Sequence, residues 1–293
     1  MPTSPAVHDL LVPAAGLGTR MLPATRALPK ELLPLVDRPV IQYGVEEAAR
    51  SGIRRVVLVT NPGNTLTASH FAPAPALESE LAARGKADLL AAVRELSALA
   101  DVTTVHQPAP RGLGHAVLCG RDAIGDVPFA VMLPDDVIDA DPPALRQMLA
   151  VFAATGDPVL LVERVPREAV SRYGIIAAEP VRDGVFRVTD LVEKPAPDDA
   201  PSDLAIVGRY VLTPDVFPAL ATTEEGAGGE IQLTDALRRL LDRRPIHACR
   251  LAGTRHDAGN RLGYLKATIH FALRRPDLAP DLRAFLESVG REG

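Results

Sequence analysis

The residues best suited to chemistry begin with Val12-Pro13-Ala14-Ala15-Gly16-Leu17-Gly18-Thr19-Arg20 and continue in Leu28-Pro29-Lys30-Glu31. The first apolar run, His8 to Val12, reads as a buried strand that empties into this glycine-rich turn. Such a turn presents a row of backbone N–H groups. It can follow a phosphate chain, because glycine admits φ > 0 and lets a ligand approach the backbone. Arg20 and Lys30 add fixed positive charge. Together they point to a nucleoside triphosphate held for chemistry at phosphorus. A dinucleotide fingerprint is excluded, because the third glycine position of G-x-G-x-x-G is Met21. No G-x-x-x-x-G-K-[ST] occurs, which excludes a P-loop.

Three further groups stand at the ends of apolar runs. Leu133-Pro134-Asp135-Asp136 closes one with two adjacent carboxylates. A triphosphate reacting at neutral pH needs Mg²⁺, which takes oxygen ligands and keeps several waters. Adjacent side chains on an extended strand point oppositely, so one of the two is expected to face a ligand. The alternative is a solvated turn. Glu193-Lys194, stiffened by Pro195, offers a cation beside hydroxyl acceptors. Because i and i+1 face opposite sides of a strand, an ordinary ion pair between these neighbours is not expected. Gln107 ends a third run and by itself reads as an exposed polar residue. His115 and His256 lack zinc-ligand spacing, and no nucleophile elbow occurs.

These blocks carry a family resemblance. The run Val12 to Tyr43 resembles the sugar-nucleotide pyrophosphorylases, and within them the branch acting on UTP and glucose 1-phosphate. The likeness continues in order through Gly112-Leu113-Gly114-His115-Ala116, Leu133 to Asp136, Tyr173-Gly174, Val192 to Pro195, Ala205 to Tyr210, Glu230 to Asp235 and His256 to Gly259. It implies transfer of UMP from UTP to the sugar phosphate, with Mg²⁺ as cofactor; the apolar residues in Leu262 to Leu273, by themselves, offer a surface for a homo-oligomeric assembly or cover for their own sheet. It assigns Ala14, Ala15, Gly16, Gly18, Thr19, Gln107 and Gly112 to the nucleotide, with Gln107 on the uracil edge. Gly174, Glu193, Lys194 and Gly208 go to the sugar phosphate, the glycines because a side chain there would clash with the hexose. Arg20, Lys30 and Lys194 become the catalytic cations, and Asp135 and Asp257 the metal ligands. Asp136 is left as a supporting or helix-capping carboxylate. The nearest alternative is a thymidylyltransferase; a non-catalytic sugar-nucleotide binder would have no need of Arg20, Lys30, Asp135 and Lys194 together.

The elements that must position these residues alternate. Strand-like runs at Arg54 to Thr60, Val102 to Gln107, Phe129 to Leu133 and Val159 to Val165 are separated by helical segments, among them Ile41 to Ser51 and Ala144 to Ala154. This predicts an α/β, Rossmann-like nucleotidyltransferase fold, a mostly parallel mixed sheet with helices on both faces. Ligands then sit beyond the carboxyl ends of the strands, where the Gly-rich turn, Asn61, Gln107 and Asp135-Asp136 converge. Leu77 to Ala100 reads as one or two amphipathic helices. Tyr173 to Ala178, Val185 to Glu193 and Leu204 to Leu212 read as strands of a sugar-side extension, with fewer helices between them. Gly263 to Val289 returns to helix, broken near Pro276 and Pro280. The expectation is one domain over 1–293: a nucleotide half at 8–165, a sugar half at 166–259 and C-terminal helices at 260–293.

Composition narrows the class. With a net charge of −5 and no basic stripe, nucleic acid is not an expected partner. No apolar run reaches the roughly 18 residues of a membrane span. Met1 to Val7 lacks the features of a signal peptide and reads as a disordered lead-in. Cys119 and Cys249 are isolated, as in a cytoplasmic protein.

Overall fold

The computed structural model describes residues 6–292. β1 (Asp9–Ala14) leads through a short hairpin, β2 (Pro34–Leu35) and β3 (Arg38–Pro39), into α1 (Val40–Arg50) and β4 (Arg55–Thr60). There follow α2 (Leu66–Ser69), α3 (Pro75–Ala83), α4 (Ala87–Ser97), β5 (Asp101–His106), α5 (Leu113–Cys119) and α6 (Arg121–Ile124). β6 (Phe129–Met132), β7 (Asp136–Asp139), α7 (Ala144–Thr155) and β8 (Val159–Arg164) complete the first half. The second half carries β9 (Gly174–Arg182), β10 (Val185–Glu193), β11 (Leu204–Leu212), α8 (Val216–Ala221), α9 (Leu233–Leu240), β12 (His247–Arg250) and β13 (Thr254–Asp257). It ends in α10 (Arg261–Leu273) and α11 (Ala279–Glu292).

Nine strands form one mixed sheet in the order β5-β4-β1-β6-β11-β8-β12-β10-β9. The first four are parallel, as the βαβ alternation predicts. β11 then runs antiparallel between β6 and β8. β12 lies parallel to β8, and β10 pairs antiparallel with both β12 and β9. All residues of β11 are buried, as a central strand covered on both faces requires. Side chains alternate between two cores. Leu11, Val57, Phe129 and Val131 pack on one face with Val117, Phe217 and Leu237 of α5, α8 and α9. Leu10, Val56, Leu58 and Met132 pack on the other with Ile41, Val45, Leu145 and Met148 of α1 and α7. Each fully buried Leu, Ile or Phe contributes about 1.5–3 kcal/mol.

The strand expectations of the first half hold to within two residues at either end. The segment from Leu77 is two helices, α3 and α4, neither of which buries a residue. Four features depart from expectation. Pro280 sits in the first turn of α11, where its missing N–H costs no hydrogen bond; the break falls at Pro276. Val7 is packed in the second core, so the expected lead-in ends before it; residues 1–5 lie outside the described residues. Helices α8 and α9 interrupt a half expected to be strand-rich. The antiparallel ladder β7–β13 was not anticipated, and it carries Asp136 and Asp257 as register partners. Among the described residues no helix is long and apolar enough to cross a membrane.

Candidate active site

A cavity of about 650 Å³ opens where β1, β5 and β6 end and reaches across the sheet to the ends of β9 and β10. Ala15, Gly16, Arg20, Lys30, Gln107, Gly112, Asp135, Gly174, Glu193, Lys194, Gly208 and Asp257 all line it. Chain topology therefore gathers residues as far apart as Ala15 and Asp257 onto one rim. Ala14, Gly18, Thr19 and Asn61 do not line it. Ala14 alternates away from Pro13 and Ala15 and is buried. Gly18 shapes the turn from behind: its φ is +63°, and its carbonyl accepts from Thr25 Oγ1 at 2.8 Å. Thr19 is exposed and opens a single helical turn.

The end of the cavity beside the Gly-rich turn is charge-balanced. Lys30 Nζ donates to Asp135 Oδ2 at 2.6 Å, and Arg20 Nη2 stands 3.7 Å from the same oxygen. Burial works to raise the Asp135 pKa. The charge and hydrogen bond of Lys30 outweigh it and hold the carboxyl below its ordinary value. Asp257 accepts from Arg172 Nη2 at 3.3 Å, from Asn260 Nδ2 at 2.9 Å and from the Gly259 N–H at 3.0 Å. The Ala258 N–H donates to the Asp135 carbonyl at 2.8 Å, so the two carboxylate-bearing loops are stitched together.

Asp136 does not turn away from the cavity, as strand alternation led one to expect; it lines the wall too. The reason is local. β6 ends at Met132, and Pro134-Asp135 is a turn before β7 begins, so period two does not run through the pair. Asp136 is held by Arg255 Nε at 2.7 Å, while Arg255 Nη1 donates to Glu163 at 2.6 Å. Burial raises the Asp136 pKa against the opposing pull of Arg255. Beneath lies Arg209, fully buried, whose guanidinium donates to Glu47 Oε2 at 2.8 Å and to the carbonyls of Asp136 and Gly208 at 2.9 and 3.0 Å. It fixes the carboxylate turn to α1 and β11.

At the opposite end, Glu193 and Lys194 do form an ion pair, at 3.4 Å, contrary to expectation. β10 stops at Glu193, and Lys194 takes a left-handed backbone with φ +47° that swings its side chain back. Its N–H donates to the Tyr173 carbonyl at 2.9 Å. Glu193 Oε2 accepts from Thr234 Oγ1 at 2.7 Å. The glycines here make room for protein before any sugar. A Cβ on Gly208 would stand 2.4 Å from Asp136 Oδ2, and one on Gly174 would stand 2.9 Å from Thr234 Oγ1 and 3.1 Å from Glu193 Oε2.

The far wall is built at Gly112, whose φ of +98° and closeness to Glu230 and Ile231 both require glycine. Gly114 N donates to Ile231 O, and Ile231 N to Arg111 O, both at 2.8 Å, which welds this turn to the segment leading into α9. Gln107 is buried beside it, its Nε2 3.1 Å from the Gly112 carbonyl and 3.0 Å from His115 Nδ1.

Residues 11–272 match the nucleotidyl transferase family. The chain belongs to that family. This nucleotidyl transferase is 48% identical over 283 residues to the UTP–glucose-1-phosphate uridylyltransferase YngB of Bacillus subtilis, covering 97% of this chain and 95% of that one. Its fold superposes on a UDP-glucose pyrophosphorylase complexed with UDP-glucose at TM-score 0.85 and 39% identity, over 92% of this chain and 100% of the other. A UTP-bound UGPase from Acinetobacter baumannii gives TM-score 0.87 and 37% identity, over 96% and 99%.

Sequence reasoning missed Arg172, Tyr173, Thr234 and Arg255 as lining residues of the nucleotidyl transferase cavity. Tyr173 and Thr234 lay inside the blocks that carried the resemblance. Arg172 and Arg255 each stand one residue outside such a block, and only the β7–β13 ladder reveals why Arg255 faces Asp136.

Proposed function

We propose that this nucleotidyl transferase is a UTP–glucose-1-phosphate uridylyltransferase. It transfers UMP from UTP to α-D-glucose 1-phosphate and releases pyrophosphate. The observation that carries this reading is a likeness over 97% of the chain to a UTP–glucose-1-phosphate uridylyltransferase, beside a cavity that gathers Arg20, Lys30, Asp135, Glu193, Lys194 and Asp257. A phosphate oxygen of the sugar attacks the α-phosphorus of UTP in line, and the bond from that phosphorus to the pyrophosphate oxygen breaks. The nucleophile is already ionised, so no protein base is required. In agreement, no Ser, Cys or His lines the cavity among the described residues. Catalysis is positioning and charge neutralisation. Lys194 holds the attacking phosphate, and Glu193, fixed by Thr234, accepts from sugar hydroxyls. Arg20 and Lys30 leave Asp135 for the phosphates of UTP and the departing pyrophosphate.

Asp135 and Asp257 suit Mg²⁺: both are hard oxygen donors on one wall, on loops joined backbone to backbone. When bound, the ion would neutralise phosphate charge, and the cations now paired with these carboxylates would be released. The same reading carries a cytoplasmic location, where UTP is made, and a homo-oligomer. Leu262, Leu265 and Ile269 of α10 and Phe285 of α11 are exposed and could meet a second copy.

The test is pyrophosphate release over a matrix of nucleoside triphosphates and sugar 1-phosphates. UTP with glucose 1-phosphate should lead, then dTTP, whose methyl group changes no hydrogen bond, then CTP. Activity should vanish with EDTA. Comparable use of ATP or GTP would overturn the reading.

A further inference from the structure

The amide of Gln107 has one orientation that satisfies its neighbours. The Gly112 carbonyl can only accept, so the group 3.1 Å from it is the NH₂. The second amide hydrogen then points at His115 Nδ1, 3.0 Å away, which must accept. His115 is therefore neutral with its proton on Nε2, the nitrogen 3.9 Å from Cys119 Sγ. Gln107 Oε1 has no hydrogen-bond partner among the described residues, and Gln107 lines the cavity. The oxygen is thus kept for a ligand N–H. Uracil and thymine offer an imide N–H at position 3; cytosine offers a bare nitrogen there.

We propose that His115, although it does not line the cavity, is the positioning residue that sets base choice by holding the Gln107 amide oxygen toward the nucleotide. This rests on the uridylyltransferase reading and deepens it. Protonation of His115 turns Nδ1 into a donor facing the donor of Gln107. The amide then leaves its orientation, and turned over it presents an N–H where cytosine, not uracil, has an acceptor. Arg111 from the preceding loop is the charged group that acts on the ring, with Cys119 a turn along α5 and Gln107 from the end of β5. Burial and then Arg111 hold the His115 pKa below its ordinary value, so the locking form prevails at neutral pH.

The experiment is the ratio of kcat/KM for UTP to that for CTP across pH about 5.5 to 8, with glucose 1-phosphate as acceptor. Phosphate ionisation, metal affinity and the sugar site are common to both nucleotides and cancel in the ratio. In the wild type the ratio should fall severalfold by the acid end of the range, on the way to the roughly tenfold limit of mispairing one buried group. dTTP should follow UTP. His115→Asn keeps a side-chain acceptor that cannot titrate, so its ratio should stay high and flat. His115→Leu removes the acceptor, so its ratio should be low at every pH; if that variant folds poorly, the flat profile of His115→Asn is the deciding result. Identical profiles for the wild type and His115→Asn would overturn the inference and leave the uridylyltransferase reading standing. Failure of the wild type to use UTP at pH 8 would overturn both.

Discussion

Lys194 holds a left-handed backbone that costs about 1–2 kcal/mol in a residue with a side chain. Such strain is kept where surrounding structure demands it, and here it turns the ammonium group into the cavity beside Glu193. Lys194→Ala should lose a charge-assisted contact of about 1.5–3 kcal/mol. That lowers kcat/KM for glucose 1-phosphate about 10- to 150-fold, while UTP affinity, read by calorimetry, stays near wild type. Near-normal kinetics would remove Lys194 from the site. The paired carboxylates should separate by phenotype. Asp135→Asn should raise the Mg²⁺ needed for half-maximal activity by at least about tenfold. Asp136→Ala strands Arg255 with Glu163 alone and should cost about 3 kcal/mol of stability in a denaturant titration. The reverse pattern would exchange the roles of the two. At this scale the sequence revealed most of the residues that gather, with Ala14, Gly18, Thr19 and Asn61 as exceptions, but not how they face. Period two holds inside a strand and fails beyond its ends: Asp135 lies in the turn after β6, Asp136 opens β7, and Lys194 stands just past β10.

Among the elements, β11 shows why glycines at the site are more than space for substrate. Gly208 lets the Asp136 carboxylate pack directly on the backbone of the central strand. Gly208→Ala must displace that carboxylate or bend a strand buried at every residue, so a loss of about 1–3 kcal/mol is expected, with a fall in melting temperature and in activity together. Unchanged stability would show that Asp136 moves freely. The parallel strands were legible because long β-branched runs between helical segments leave little choice. β7 and β13 were not. They are four residues each, and their polar members, among them Asp136, Asp139, Arg255 and Asp257, serve the site and its surroundings rather than a core. For Gly174 and Gly208 the family pattern locates the glycines, and packing adds a reason of its own: Thr234, Glu193 and Asp136 already stand where a side chain would go.

For the whole molecule, pH should act through Glu31, buried behind Lys30 and accepting from Thr67 Oγ1 at 3.1 Å. Burial raises its pKa above the ordinary glutamate value. A raised folded-state pKa means stability that is fully present below the unfolded value and lost as pH rises through the folded one. Glu31→Gln should therefore gain on the wild type in melting temperature as pH climbs from about 4 to 7. A constant difference across that range would show that the carboxyl titrates normally. Sheet order was beyond the reach of sequence, since nothing in Leu204 to Leu212 says that it inserts between β6 and β8. That insertion bears on how the chain is made. A ribosome delivers β6 well before β11, and at about 5–20 residues per second the gap lasts several seconds. Throughout that interval the parallel half has an open hydrogen-bonding edge at β6, an invitation to pair with a neighbouring nascent chain. A fragment ending at residue 165 is frozen at that moment of translation. It should collect in the insoluble fraction, and it should be rescued by co-expression of residues 166–292, which bring the missing strand.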